Sequence, residues 1–243
     1  MSASKKLIQA SAITAAEAIE YVGGATAAGV NSSLNIALDS LTGGLDTSPS
    51  SGDIIIIIGA SGQSGGQTVG VTGYTLEVSS LQSLNSFYYT SQTMSVGWLE
   101  SDGTETSATV TTTGGASNKP MCAIAHVFRN VDTSNPFDVA TTTAYGGGSV
   151  VPNPPPITPA TNGSWVLVVG AGTKNNTGGL SFSSAELTGF LDVTRLGGMD
   201  LCVGAGYIDD WVAGEVDPTA FTLTGTSHHW AVWAAITMAL RQG

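Results

Sequence analysis

Charge is what this chain has least of. Only 10% of its 243 residues are Asp, Glu, Lys or Arg, against a usual share of about 25%, and only seven are basic. Two of those seven, Lys5 and Lys6, fall within the first six residues, so past residue 6 there is no basic patch. Wrapping nucleic acid requires clustered Lys or Arg to neutralise phosphates, which excludes nucleic acid as a partner; an anionic membrane surface is disfavoured on the same ground. Long apolar runs are missing too. Stretches such as Ile54 to Ile58 are far too short to span a bilayer, so membrane insertion is not expected, and residues 1–20 lack the continuous apolar core of a signal peptide. Two cysteines, Cys122 and Cys202, make no disulfide framework, and both sit in apolar strand-like runs as expected of buried free thiols. No phosphate-cradling glycine loop occurs, and no cofactor of any kind is expected.

What is abundant is glycine, 32 residues or about 13% against an average of about 7%, together with an apolar fraction of 42%. Such a chain can build a core and turns often. Its formal net charge of −11 comes from 18 acids against the seven bases.

The chain states one β-rich unit twice. Gly52-Asp53-Ile54-Ile55-Ile56-Ile57-Ile58-Gly59-Ala60 returns as Gly163-Ser164-Trp165-Val166-Leu167-Val168-Val169-Gly170-Ala171. Further on, Met121 to Arg129 resembles Trp230 to Met238, and Val96-Gly97-Trp98 corresponds to Val203-Gly204-Ala205-Gly206-Tyr207. An opening strand and a closing strand in each half are what two facing sheets require. The fold class expected is all-β, an antiparallel β-sandwich of jelly-roll type built of two similar halves. Residues 1–20 form an N-terminal arm, extended or partly helical around Thr14 to Ile19. Residues 21–243 form one sandwich, with half one at about 21–131, a crossover at 132–162 that includes the stiff Pro152-Asn153-Pro154-Pro155-Pro156, and half two at 163–243.

Within this frame the five consecutive isoleucines suit a central strand covered on both faces. Leu34 to Leu38, Asn85 to Tyr89, Thr93 to Leu99 and Thr106 to Thr113 read as strands, and Ala60 to Gly73 as a Gly-rich loop over the sheet. Met121 to Phe128 alternates, with Cys122, Ile124, His126 and Phe128 on one face and Met121, Ala123, Ala125 and Val127 on the other.

Few residues suggest chemistry. Gly62-Gln63-Ser64-Gly65-Gly66 fits the spacing of a nucleophile elbow, but the elbow must run into a helix, and Gln67 to Gly73 cannot be one. His126, His228 and His229 lack the spacing that aims two imidazoles at one ion, so no metal site is expected. The acidic turns Glu100 to Glu105 and Asp209 to Asp217 occupy equivalent places in the two halves. They read as solvated hairpin tips, with a glycan or protein contact through Trp211 as the alternative; neither fits a calcium loop. A glycan hydrolase using Glu100, Asp102 or Glu215 would need two carboxyls facing one cleft, which hairpin tips seldom make. No catalytic residue is assigned, and the chain is expected not to be an enzyme.

A family resemblance runs through residues 5–171. Lys5-Lys6-Leu7-Ile8-Gln9-Ala10-Ser11-Ala12 is similar to the opening of many marine bacteriophage tail and tail-fibre proteins. Tyr21-Val22-Gly23-Gly24-Ala25-Thr26-Ala27-Ala28-Gly29, Gly52-Asp53-Ile54-Ile55-Ile56, Gly73-Tyr74-Thr75, Val127-Phe128-Arg129-Asn130-Val131-Asp132, Asn135-Pro136-Phe137-Asp138 and Pro154-Pro155-Pro156-Ile157-Thr158-Pro159 resemble a β-sandwich module of phage virion proteins. The resemblance implies a non-enzymatic virion component, assembled in the host cytoplasm, homo-oligomeric on the particle, and either a tail-associated adhesin or a capsid decoration protein. A lectin-like carbohydrate-binding module is the alternative from another class. On this reading Lys5, Lys6, Leu7, Ile8 and Ile13 dock the arm onto other virion proteins. Tyr88, Tyr89 and Trp211 are the aromatics available to recognise a host cell-surface glycan or protein.

Overall fold

The computed structural model describes residues 16–62, 67–85, 90–114, 119–175, 179–197, 199–225 and 229–243. Among them there are fifteen strands and no helix. The first half supplies β1 (Glu20–Val30), β2 (Ser33–Ala37), β3 (Ile54–Gly62), β4 (Thr68–Val71), β5 (Thr75–Asn85), β6 (Thr90–Glu100), β7 (Ser107–Thr113) and β8 (Pro120–Arg129). The second supplies β9 (Thr142–Gly147), β10 (Ser164–Asn175), β11 (Leu180–Ser183), β12 (Thr188–Arg195), β13 (Met199–Trp211), β14 (Thr222–Gly225) and β15 (Val232–Leu240).

Two five-stranded antiparallel sheets carry the molecule, in the orders β1-β8-β3-β6-β5 and β12-β13-β10-β15-β9, flanked by the small sheets β2-β7-β4 and β11-β14. Read from the other edge, the second large sheet is β9-β15-β10-β13-β12, the strand order of the first, position for position. In the first half β1 pairs with β8, β2 with β7 and β3 with β6. The fourth pairing is made by side chains, since Ser80 and Gln82 of β5 bond to backbone groups of Val69 and Gln67 at β4. A single long hairpin rolled on itself pairs first with last, second with seventh and third with sixth, which is the winding of an eight-stranded jelly roll. Each half is therefore a jelly roll, and the two lie back to back through their large sheets.

That contact forms the central core. Ile54, Ile56 and Ile58 of β3 meet Leu167 and Val169 of β10 together with Ile124, Phe128, Val203, Ile236 and Met238, all buried. The alternate residues Ile55 and Ile57 face outward into a second core closed by Ile36, Val69 and Val110 of the small sheet. Val166 and Val168 do the same in the second half, against Val150, Phe182 and Phe221. The molecule is thus four layers deep, and β3, β8 and β10 are apolar on both faces because both faces are covered. The alternation expected for Met121 to Phe128 is the one observed.

The repeated Gly-Ala has a physical reason. Gly59 and Gly170 lie on the outward faces, where a Cβ would stand 2.6 Å from Val110 in one half and 2.7 Å from Phe221 in the other. Ala60 and Ala171 face the central core. Glycine lets the outer layer touch the sheet backbone, and alanine lets the two large sheets approach.

Several expectations need correction. Residues 60–73 are not one loop: β3 continues to Gly62, and β4 occupies Thr68–Val71 as the partner of β7. Of the strand expected at Asn85 to Tyr89, Asn85 closes β5 and residues 86–89 lie outside the described residues. Residues 16–19 are not helical, and Ile19 is buried in the central core. The segment 132–162 contains β9, which pairs with β15. The Pro-rich stretch after it crosses the outer face of the second half beside β14, where β2 stands beside β7 in the first. Pro152, Pro154, Pro155 and Pro156 offer no N–H to a ladder, so only isolated bonds form, such as Phe221 N–H to Pro152 O and the reciprocal pair of Ile157 and Val216. The register of the halves also differs from the sequence match. Phe128 lies opposite Ile54, and Leu240 opposite Trp165, which equates Arg129 with Arg241 and slides Met121 away from Trp230 by three residues.

Replacing Gly59 or Gly170 by Ala should cost about 1–3 kcal/mol of unfolding free energy in urea, because the new methyl meets branched or ring atoms rather than a flexible chain end. An unchanged midpoint in either variant would show that the outer layer yields.

Candidate functional site

The ends of the sandwich differ in what they present. Every strand of the two large sheets runs between a base, where β1, β3 and β10 begin, and a tip, where β3 and β10 end. At the base, β8 finishes in Arg129 and β15 is followed directly by Arg241. Arg129 Nε is 2.9 Å from Oδ1 of Asp53, its Nη2 3.1 Å from Oδ2, and the same nitrogen is 3.1 Å from Asp46. The Asp53 carboxylate is nearly inaccessible to water, and the hydrogen bonds it accepts from Arg129 raise that guanidinium above its ordinary pKa.

Asp138 does the equivalent work in the second half. Its carboxylate is fully buried, accepts the amides of Ala160 and Thr161 at 2.6 and 2.9 Å and the Thr161 hydroxyl at 2.9 Å, and pairs with Arg241 Nε at 3.4 Å. Burial alone would push this carboxyl up, but those donors hold it below the usual carboxylate value. The equivalent of Asp53 is Ser164, whose hydroxyl lies 3.4 Å from Asp138. The sequence repeat replaced one acid by a hydroxyl and brought the acid from another segment.

Both described chain ends meet here. The Gln242 amide donates to the carbonyls of Ala16 and Glu17 at 3.0 and 2.8 Å, Asn130 donates to Ala18 O at 2.9 Å, and Gly243 N–H reaches Asn130 O. Residues 16–19 are therefore clasped between the ends of β8 and β15. The docking candidates Lys5, Lys6, Leu7, Ile8 and Ile13 precede this clasp and lie outside the described residues.

Above the base, inside the central core, an aromatic cluster bridges the halves. Tyr21, Phe128 and Tyr207 stand 5.0–5.7 Å apart by ring centroid, and Trp165 stacks on Tyr207 at 4.6 Å. His126 lies under it with Nδ1 3.1 Å from the Tyr21 hydroxyl. Burial pulls its pKa down to about 4, opposed only by a backbone group of Ala205. It is a neutral core histidine, and among the described residues no group of three His, Cys, Asp or Glu side chains could hold a metal ion.

The acidic turns are also at the base, and in the first of them Asp102 and Glu105 are already bonded. Glu105 accepts the Ser101 hydroxyl at 2.6 Å and the Asp102 amide at 3.2 Å, while Asp102 takes the Thr104 amide at 2.9 Å and its hydroxyl at 2.5 Å. The Thr104 bonds lower the Asp102 pKa. Trp211 packs half-buried against the second half's core, its indole N–H donating to Gly214 O at 3.2 Å. Cys122 lies in the central core, where burial lifts its thiol to about 12. Cys202 faces the second half's core, 2.9 Å from Asp192, and burial together with that carboxylate raises it further. A shallow depression of about 440 Å³ lies near the tip between β11, β12 and β14, lined by Leu180, Ser181, Thr194, Leu196 and Thr224.

At the tip, Asn85 and Thr90 flank Tyr88 and Tyr89, and the Asn85 amide is 3.3 Å from His229 O. Tyr88, Tyr89, Ser64 and His228 lie outside the described residues. The structure thus places Trp211 at the base, whereas the strands flanking the tyrosine pair end at the tip. Sequence reading missed Asp138, Asn130 and Gln242, whose only local signal is an arginine closing each half. No protein-family model, no curated protein and no solved structure matches this chain.

Because the folded-state pKa of His126 is depressed, its neutral form contributes stability that is complete above about pH 6.5 and is lost as pH falls from there towards 4. His126→Gln, which still bonds Tyr21 but does not titrate, should lose less unfolding free energy than the parent between pH 7 and 4.5, by up to about 3 kcal/mol. Parallel pH profiles for the two proteins would remove the imidazole from the account.

Proposed function

We propose that this chain is a non-enzymatic structural component of a bacteriophage particle, a tail-associated adhesin anchored through the residues that precede its clasped N-terminus. The observation that carries this reading is the polarity of the sandwich. Residues 16–19 and the C-terminal Gln242 are bound together at the base, so the preceding 15 residues, with Lys5 and Lys6 and no acid among them, depart from that end. The hairpin ends that flank Tyr88 and Tyr89 stand at the other. A body held at its base, with the strands that flank Tyr88 and Tyr89 ending at the opposite tip, suits attachment followed by recognition.

The jelly-roll winding agrees with this reading, since that architecture recurs in capsid and lectin domains, although architecture by itself assigns no activity. The arm supplies little affinity alone. Burying Leu7, Ile8 and Ile13 is worth roughly 1.5–3 kcal/mol each before ordering costs, so repetition around a symmetric particle must do the rest.

Deleting residues 2–15, and stopping there so that Ile19 stays in the core, should leave a folded protein that no longer enters particles. Antibody labelling of intact particles should place the parent protein on the tail. Normal incorporation of the deletion variant would overturn the arm; labelling spread over the head would replace the adhesin with a decoration protein. Tyr88→Ala combined with Tyr89→Ala should reduce adsorption to host cells at least tenfold without changing incorporation.

A further inference from the structure

We propose that the lateral margin formed by β5 and β9 is an interface with a second copy of this chain, in which β9 pairs antiparallel with its own counterpart and joins two five-stranded sheets into one of ten. An edge strand carries a row of unpaired N–H and C=O groups, and folded proteins cover it or guard it with charge, proline or a bulge. Of the other three edges of the large sheets, that of β1 is covered, and those of β5 and β12 are bulged and tied by side chains to the small sheets. The segment 42–46 bonds along β1 through Thr42, Leu45 and Asp46. β5 is tied to the small sheet by Ser80 and Gln82, and β12 by Asp192 and Thr194.

Among the described residues, the outer edge of β9 receives only the Ser83 hydroxyl, at the Gly146 carbonyl. Its sequence, Thr142-Thr143-Ala144-Tyr145-Gly146-Gly147, has no charge and no proline, and its ladder with β15 has no register shift.

Charge selects the occupant. Once Lys5 and Lys6 are set aside, residues 16–243 carry 18 acids and five bases, so two copies repel over most of their surfaces. β5 and β9 together hold one charged residue, the half-buried Glu77, which accepts the Thr141 hydroxyl. The same two strands carry three of the six exposed large hydrophobic side chains among the described residues, Leu76, Leu84 and Tyr145, the last 65% exposed. Tyrosine at the centre of such a margin is a strong anchor. A partner must itself bring an uncovered strand, and β9 does so: a two-fold pairing sets Ala144 opposite its own counterpart and Thr142 opposite Gly146 and covers both edges at once. The proposal rests on neither the arm nor the virion reading.

Sedimentation velocity of the full chain should give twice the 24.5 kDa chain mass at concentrations up to about 100 µM. Tyr145→Lys and Thr143→Lys, both at exposed positions, should each return the monomer mass with an unchanged circular dichroism spectrum, and either suffices if the other fails to fold. Thr109→Lys on the outer face of β7, and deletion of residues 2–15, should leave the dimer intact. A monomer throughout the range, or a dimer that survives both lysine variants, would overturn the proposal. A dimer lost only with residues 2–15 would overturn it too and assign association to the arm.

Discussion

Two large sheets meet face to face at the centre of this chain, and the contact dictates what the strands on either side must be. A strand covered on one face can alternate apolar and polar residues; a strand covered on both cannot. The back-to-back contact occupies one face of β3, β8 and β10, and each half's outer layer occupies the other. The isoleucine run and its counterpart in the second half follow from that double coverage. So do the glycines at 59 and 170, since a four-layered body closes only if the outer layers approach the sheet backbone.

The same stacking concentrates polar order at one end. Arg129 and Arg241, equivalent by register, each emerge from a double-covered strand beside a buried carboxylate, and each needs the other member of its pair because an uncompensated buried charge is costly. Around these pairs the chain collects its described ends, with Asn130 and Gln242 holding residues 16–18 by their backbone carbonyls. The base is thereby a rigid point of departure for whatever precedes residue 16. The clasp engages residues 16–18 through their backbone carbonyls rather than their side chains.

Function, on this view, is a matter of surfaces. The neutral His126 and the raised thiols of Cys122 and Cys202 are packed in the cores, Cys202 standing 2.9 Å from Asp192, and the acidic turn at Ser101 to Glu105 bonds to itself. The proposed roles rest on two surfaces, the strand ends that flank Tyr88 and Tyr89 at the tip and the uncharged edge of β9.

The sequence by itself determined which residues lie inside and in what alternation, because burial on one or both faces of a strand is written into successive residues. It also determined that there are two halves, since duplicated strands keep their pattern. It did not determine how the halves align: apolar strands resemble one another at several offsets, and the slip of three residues between Met121 and Trp230 exchanges inward for outward faces, so only the hydrogen-bonded register could place Arg129 against Arg241. Nor did it reveal that β4 and β9 are strands, that each half winds into its own jelly roll, or that Asp138 stands in where Ser164 replaced an acid. Those features join residues distant in the chain, and pairing across such distances is decided by the closure of the whole fold rather than by any local preference.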